Sequence, residues 1–226
     1  NPVITTATDV QNVTALDNLA QSVNGWRPEL REFIKPFNSY LGSGRTVYFY
    51  QEKDWVTDLR GLTLVDEEGL AAVLKGTEPL ILLTAEKKDI QRENLALIYP
   101  QPYILGVGAR KDVAPAVFRE GFEEFCQQQG IFASEISKIV SIDVKKDEAA
   151  ILALAKELGC PFETFNKEEL SVVADRYPQS EFVKKTVGVG SVALASADLA
   201  SQGQVLTERF AKNGCTYALA KVITKK

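Results

Sequence analysis

The chain has 226 residues, 45% apolar and 25% charged, with a formal net charge of −4, a composition that suits a globular protein with a real core and disfavours a general nucleic-acid binder. Histidine is absent and the three cysteines, Cys126, Cys160 and Cys215, lie far apart. Neither a zinc site nor a catalytic group that needs histidine can be assembled from this sequence, so acid-base chemistry falls to carboxylates, lysines, tyrosines or bound water.

In chain order, residues 1–8 are rich in β-branched side chains and suit a strand. It is expected to be the remnant of an N-terminal domain that lies upstream. A short helix is predicted over 16–22, with a turn at Asn24-Gly25. Pro28 then suits the first turn of a helix that carries Leu30, Phe33, Ile34, Phe37 and Leu41 on one face. Pro36 should kink or split that helix, and Gly42-Ser43-Gly44 should end it. Strands are predicted over 46–50, 80–84 and 95–99, with a helix over 67–75 between the first two. Pro100-Gln101-Pro102 reads as a stiff boundary or as a loop.

Beyond it, a strand from Tyr103 runs into Gly106 and Gly108, followed by a helix over Pro115–Gln129 with Phe118, Phe122 and Phe125 on its buried side. Ile139, Val140, Ile142 and Val144 read as a buried strand. Ile151, Leu154, Ala155 and Leu158 form one face of the next helix, which Gly159 ends and Asp147 is placed to cap. A strand over 161–165 leads to Asn166 and Glu169, a capping-box start for a helix bearing Leu170, Val173, Ala174 and Tyr177. A small-residue helix then runs to Ser201, and strands over 204–209 and 217–223 form a hairpin through Asn213-Gly214. The order predicts an α/β protein of two consecutive three-layer-type domains, with divisions at 1–10, 11–100 and 101–226.

The charge is unevenly distributed. Residues 1–100 hold 10 Lys+Arg against 14 Asp+Glu, whereas residues 101–226 hold 16 of each. Within the second part, glycines or strand ends stand beside cations in three places. Gly106 and Gly108 precede Arg110 and Lys111, and Asp143 to Glu148 include Lys145 and Lys146. Lys184 and Lys185 precede Gly188, Gly190 and the small-residue helix. The glycines read either as turn or packing residues or as backbone exposed to an anion. If the three segments meet at one carboxyl edge of a sheet, where open α/β sheets bind ligands, they form a cleft for a polycarboxylate.

Four stretches, in order, also resemble a known family: Leu105-Gly106-Val107-Gly108-Ala109-Arg110-Lys111, Ser141-Ile142-Asp143-Val144-Lys145-Lys146-Asp147-Glu148, Ser180-Glu181-Phe182-Val183 and Val187-Gly188-Val189-Gly190-Ser191-Val192. They are similar to the C-terminal region of the cobalamin-biosynthesis protein CbiG, the cobalt-precorrin-5A hydrolase, and to its stand-alone relative CobE. Residues 2–9 resemble the last strand of the hydrolase's N-terminal domain, and residues 16–100 its middle domain. Where the family often has Cys, Gly and an acid, this chain has Ala109, Asp112 and Leu194.

The resemblance implies a cytoplasmic hydrolase of vitamin B12 biosynthesis that acts on a carbon–carbon bond. It would open the δ-lactone of cobalt-precorrin-5A and release acetaldehyde to give cobalt-precorrin-5B. Such a reaction needs water delivered to a carbonyl, an oxyanion stabilised and a proton accepted. Glu148 or Asp143 is the expected base, and Lys145 and Arg110 the groups that hold the oxyanion or the substrate's carboxylates. Gly106, Gly108, Arg110, Lys111, Lys146, Ser180, Lys184, Gly188, Gly190 and Ser191 are the expected substrate-binding residues. No cofactor and no protein-bound metal are expected, since the cobalt belongs to the substrate. The expected partners are the corrinoid and neighbouring enzymes of the pathway, without nucleic acid or membrane. A non-catalytic carrier of the same corrinoid and an unrelated nucleotide-binding α/β protein are the alternatives.

Overall fold

The computed structural model describes residues 12–178 and 190–223, so the expected N-terminal strand lies outside the described residues. The chain divides between Gln101 and Pro102 into two compact units. Among the described residues no helix is long and apolar enough to cross a membrane.

The first unit contains α1 (Leu16–Ser22), α2 (Arg31–Gly42), β1 (Tyr48–Gln51), β2 (Thr63–Leu64), α3 (Glu67–Val73), β3 (Leu80–Leu83) and β4 (Leu95–Ile98). Its four strands are parallel in the order β2-β1-β3-β4. Strand alternation sorts the side chains onto two faces. Phe49, Ile81, Leu83, Ala96 and Ile98 share a core with Leu16, Leu19, Phe37 and Leu41 of α1 and α2. Tyr48, Tyr50, Leu80, Leu82 and Leu95 pack with Leu70 of α3 on the other face.

Pro36 does not split its helix. α2 runs through it, preceded by a separate 3-10 turn, Pro28–Leu30. The amide that Pro36 lacks would have bonded Glu32, an exposed residue, so solvent can serve the vacant carbonyl. The chain leaves β1 for β2 on one side and returns to β3 on the other, and the ends of β1 and β3 are tied together. The Glu52 carboxylate accepts from Thr84 Oγ1 at 2.7 Å, the Ala85 amide at 2.8 Å and Lys88 Nζ at 2.7 Å. Burial opposes its ionisation, but these donors outweigh burial and hold the carboxyl below its ordinary range.

The second unit contains β5 (Tyr103–Ala109), α4 (Pro115–Gln129), β6 (Ile136–Ile142), α5 (Ala149–Leu158), β7 (Phe162–Phe165), α6 (Lys167–Ala174), α7 (Val192–Ser201), β8 (Phe210–Lys212) and β9 (Cys215–Lys221). The sheet order is β7-β6-β5-β9-β8, with β5, β6 and β7 parallel and β9 antiparallel to both β5 and β8. Helices α4 and α5 cover one face through Phe118, Phe122, Phe125, Ile151 and Leu154. There Tyr217 lies in the aromatic cluster and donates its hydroxyl to the Phe118 carbonyl at 2.6 Å. Helices α6 and α7 cover the other face. Asn166 and Glu169 form the capping box of α6, and Gly130 and Gly159 end α4 and α5 in the left-handed conformation.

Three expectations are corrected here. The strand around residue 140 ends at Ile142; Val144 lies in a 3-10 turn and is 64% exposed. Residues 204–209 are not a strand and contribute a single bridge, Val205 to Ala220. The hairpin partner is instead β8, and the turn at Asn213 and Gly214 has positive φ at both residues.

Gly106 and Gly108, moreover, are not turn residues. Both are buried inside β5, on the face that also presents Ala218 and Ala220 of β9. A Cβ on Gly106 would stand 2.0 Å from the Ala193 carbonyl oxygen, and one on Gly108 would stand 2.5 Å from Thr216 Oγ1. The first neighbour is helix backbone that cannot yield; the second is a side chain that can rotate. Gly106→Ala should therefore destabilise the protein by about 3 kcal/mol, the upper part of the usual range for overpacking, and Gly108→Ala by about 1 kcal/mol. Chemical denaturation of the two variants beside the parent checks the order.

Candidate functional site at the carboxyl edge of the second sheet

Strands β5 and β6 end side by side, and their C-terminal extensions carry the charge. After β5, the Arg110 amide donates to the Gly214 carbonyl at 2.9 Å. Its side chain lies across the hairpin turn, where a Cβ on Gly214 would come within 2.9 Å of Arg110 Cδ. Gly214 has φ +77, so this glycine serves both the turn and the arginine. Lys111 follows as an exposed side chain.

After β6, residues Asp143–Lys145 form one 3-10 turn, and α5 begins at Ala149. The N-cap position of α5 is Glu148, not Asp147, and its side chain makes no cap bond. It pairs instead with Lys145, Nζ to Oε2 at 2.9 Å, and the two side chains are only 12% and 8% exposed. Desolvated charges of this kind must be matched, because either one alone would carry an uncompensated burial cost. Among the described residues Asp143, half-buried beside them, has no ion-pair partner, and Lys146 is exposed.

Opposite, β9 starts at Cys215, which is fully buried. Burial raises its thiol pKa; the Arg110 charge lowers it and the Glu148 charge raises it, so both groups lie within electrostatic reach of this strand end. Burial likewise pushes Cys126 up to about 12 and Cys160 to about 11. These thiols are not nucleophiles near neutral pH.

The third contributor is the start of α7. Val192 lies 3.7 Å from the Cβ position of Gly108 and shares an apolar cluster with Ile142, the last residue of β6. The helix N-terminus, with buried Gly190 and Ser191, therefore sits over the ends of β5 and β6. The structure thus brings Arg110, Asp143, Lys145, Glu148 and Ser191 to one sheet edge. Gly106 contributes from beneath, by admitting the helix, and Gly108 by making room for Thr216 Oγ1. Their positions in the strand ladders leave them unsuited to the exposed anion-binding loop that was one reading of the sequence. Ser180, Lys184, Lys185 and Gly188 lie outside the described residues.

One cluster escaped the sequence reading. Asp198, in the interior of α7, is 3% exposed; its carboxylate accepts from the Tyr177 hydroxyl and from Arg176 at 3.4 Å. Burial, followed by this carboxylate, raises the Tyr177 pKa. The available signal was a single acid in an otherwise small and apolar helix, since such a group needs partners when buried. Removing half of the Lys145 pair by Glu148→Ala should cost roughly 3 kcal/mol, read as a lower denaturation midpoint.

Comparison with known proteins bears on this edge. Residues 103–220 match the family described as cobalamin synthesis G C-terminus. The chain is 33% identical, over 97% of its length and 63% of the relative's, to the cobalt-precorrin-5A hydrolase of Salmonella typhimurium (strain LT2). It is 24% identical, over 91% of its length and 57% of the relative's, to the hydrolase of the same name from Priestia megaterium. The chain thus spans about three fifths of the length of these curated relatives. The crystal structure of CobE, a protein from the cobalamin (vitamin B12) biosynthetic pathway, covers 56% of this chain and 97% of its own, with TM-score 0.50 and 24% identity, a likeness of fold. With its resemblance, its α/β architecture and its family match in agreement, the chain belongs to the CbiG family of cobalamin synthesis proteins.

Proposed function

We propose that this chain supplies the catalytic edge of a cobalt-precorrin-5A hydrolase, a hydrolase that opens the δ-lactone of a cobalt corrinoid and releases a two-carbon fragment as acetaldehyde. The relatives named above support the pathway and the class of reaction. The observation that supports the site is the nearly buried Lys145–Glu148 pair beyond the end of β6, in the same turn as Asp143 and at the sheet edge that β5 leaves into Arg110.

The pair divides the labour. Glu148 fixes the Lys145 side chain in one orientation, which suits it to stabilise negative charge that develops on a carbonyl oxygen. Asp143, closest to the strand end and not engaged by the lysine, takes a proton from water as its oxygen attacks the lactone carbonyl. The carbonyl–oxygen bond of the ring then breaks, leaving a carboxylic acid, which ionises to solvent, and an alkoxide. As the alkoxide becomes the carbonyl of acetaldehyde, the adjacent carbon–carbon bond breaks with its electron pair left on the macrocycle, which takes up a proton. Arg110 binds a carboxylate of the substrate. The cobalt remains part of the substrate throughout.

The test is anaerobic incubation with cobalt-precorrin-5A, with acetaldehyde and the corrinoid product assayed together. Asp143→Asn should lower the rate by about 100-fold or more, and Lys145→Met by a similar factor. Parent-like rates in both variants would reject the assignment. Binding without acetaldehyde release by the parent would favour the carrier reading.

A further inference from the structure

Helix α7 offers more than a wall for the site. Ser191 is its N-cap residue, with φ −141 and ψ 70, and its side chain caps nothing. The residue is 2% exposed, and its Oγ is buried with no hydrogen-bond partner. A buried hydroxyl in that state has given up its water and gained nothing in return, so a ligand acceptor placed there would satisfy it. Ser196 shares the condition, but it sits inside the helix, where the neighbouring amides are already committed.

At Ser191 the amides are not committed within the helix. Ala195 is the first residue to bond back, from its amide to the Ser191 carbonyl at 3.0 Å. The amides of Val192, Ala193 and Leu194 therefore have no intrahelical acceptor. The first turn contains no acidic residue, so no side chain of its own offsets the positive end of the dipole. This terminus lies over the ends of β5 and β6, the strand ends that lead to Arg110 and Lys145.

We propose that the α7 N-terminus, completed by the Ser191 hydroxyl, is a carboxylate-binding subsite. Resting on the corrinoid reading above, its occupant is one of the substrate's acetate or propionate arms. A carboxylate presents two acceptor oxygens, which match one hydroxyl and the adjacent helix amides. Held there, it shares the sheet edge that β5 leaves into Arg110, so that two arms of one substrate could be fixed at a single edge while Lys145 and Asp143 face the reacting group.

The experiment uses the whole chain and two corrin probes, cobyrinic acid with free carboxylate arms and its fully methylated ester, with affinity and melting temperature both recorded. The parent should bind the acid at least tenfold more tightly than the ester. Ser191→Ala should weaken the acid by about tenfold, as for loss of a hydrogen bond to a charged group. Its melting temperature should not fall, because no intramolecular bond is lost. Ser191→Asp separates ligand binding from capping: its own carboxylate should occupy the terminus, raise the melting temperature and weaken the acid further. Unchanged affinity in both variants overturns the subsite, as does recovery of parent affinity in Ser191→Asp, which would make the serine a structural cap. If the parent binds neither corrin, the corrinoid reading fails and citrate decides the subsite. A citrate-induced rise in melting temperature that Ser191→Ala abolishes would retain it, and no rise in the parent would reject it.

Discussion

The close approach of α7 to β5 is the constraint on which the second unit depends. At Gly106 the Ala193 carbonyl occupies the space that any side chain would fill. The rest of that face is equally small, with Ala218 and Ala220 on β9 and Ala193 and Ala197 on the helix. Dispersion contacts fall off steeply with distance, so a helix seated this near its sheet is well held although its side chains are short. The seating also decides where the helix begins. Because α7 is pinned at Gly106, its first turn reaches Gly108 and Ile142, and its positive end lies over the carboxyl edge.

That edge is where the charged groups must resolve their desolvation. Lys145 and Glu148 do so by pairing, at a separation of three residues that one turn of chain brings together. Arg110 does so differently, by lying over a glycine in the hairpin turn and remaining exposed. Asp198 takes a third course, drawing on Tyr177 and Arg176 from just beyond α6. Its bonds join the end of one covering helix to the middle of the other. The first unit uses the same solution at its own switch point, where Glu52 gathers a hydroxyl, an amide and a lysine from the chain that follows β3. In both units a carboxylate beyond a strand end is held by a nearby lysine.

Much of this was legible in the residues. The apolar period of 118, 122 and 125, the helix-ending glycine at 159, and the Asn166 and Glu169 box are local signals, and each element stands where they put it. The strand around 140 looks longer in sequence than it is, because Val144 continues the apolar alternation; the turn over Asp143–Lys145 exposes it. Residues 204–209 alternate like a strand but lack a ladder partner beyond one bridge, while Phe210–Lys212, beside the Asn213 and Gly214 turn, takes the place. Pairing is a property of two segments, and one segment cannot declare it.

The sequence by itself determined the α/β class, the end of α5 at Gly159, the start of α6 at Asn166 and the family, because these rest on short-range periodicity, on backbone conformations that few residues accept and on ordered motifs. It also placed Arg110, Asp143, Lys145 and Glu148 at strand ends. Only the tertiary structure decided that Lys145 and Glu148 spend their charge on each other, that Gly106 lies against the backbone of a helix and Gly108 against Thr216, and that Ser191 ends up buried without a partner. Those outcomes depend on which atoms from distant segments exclude water from one another, and that is set by packing.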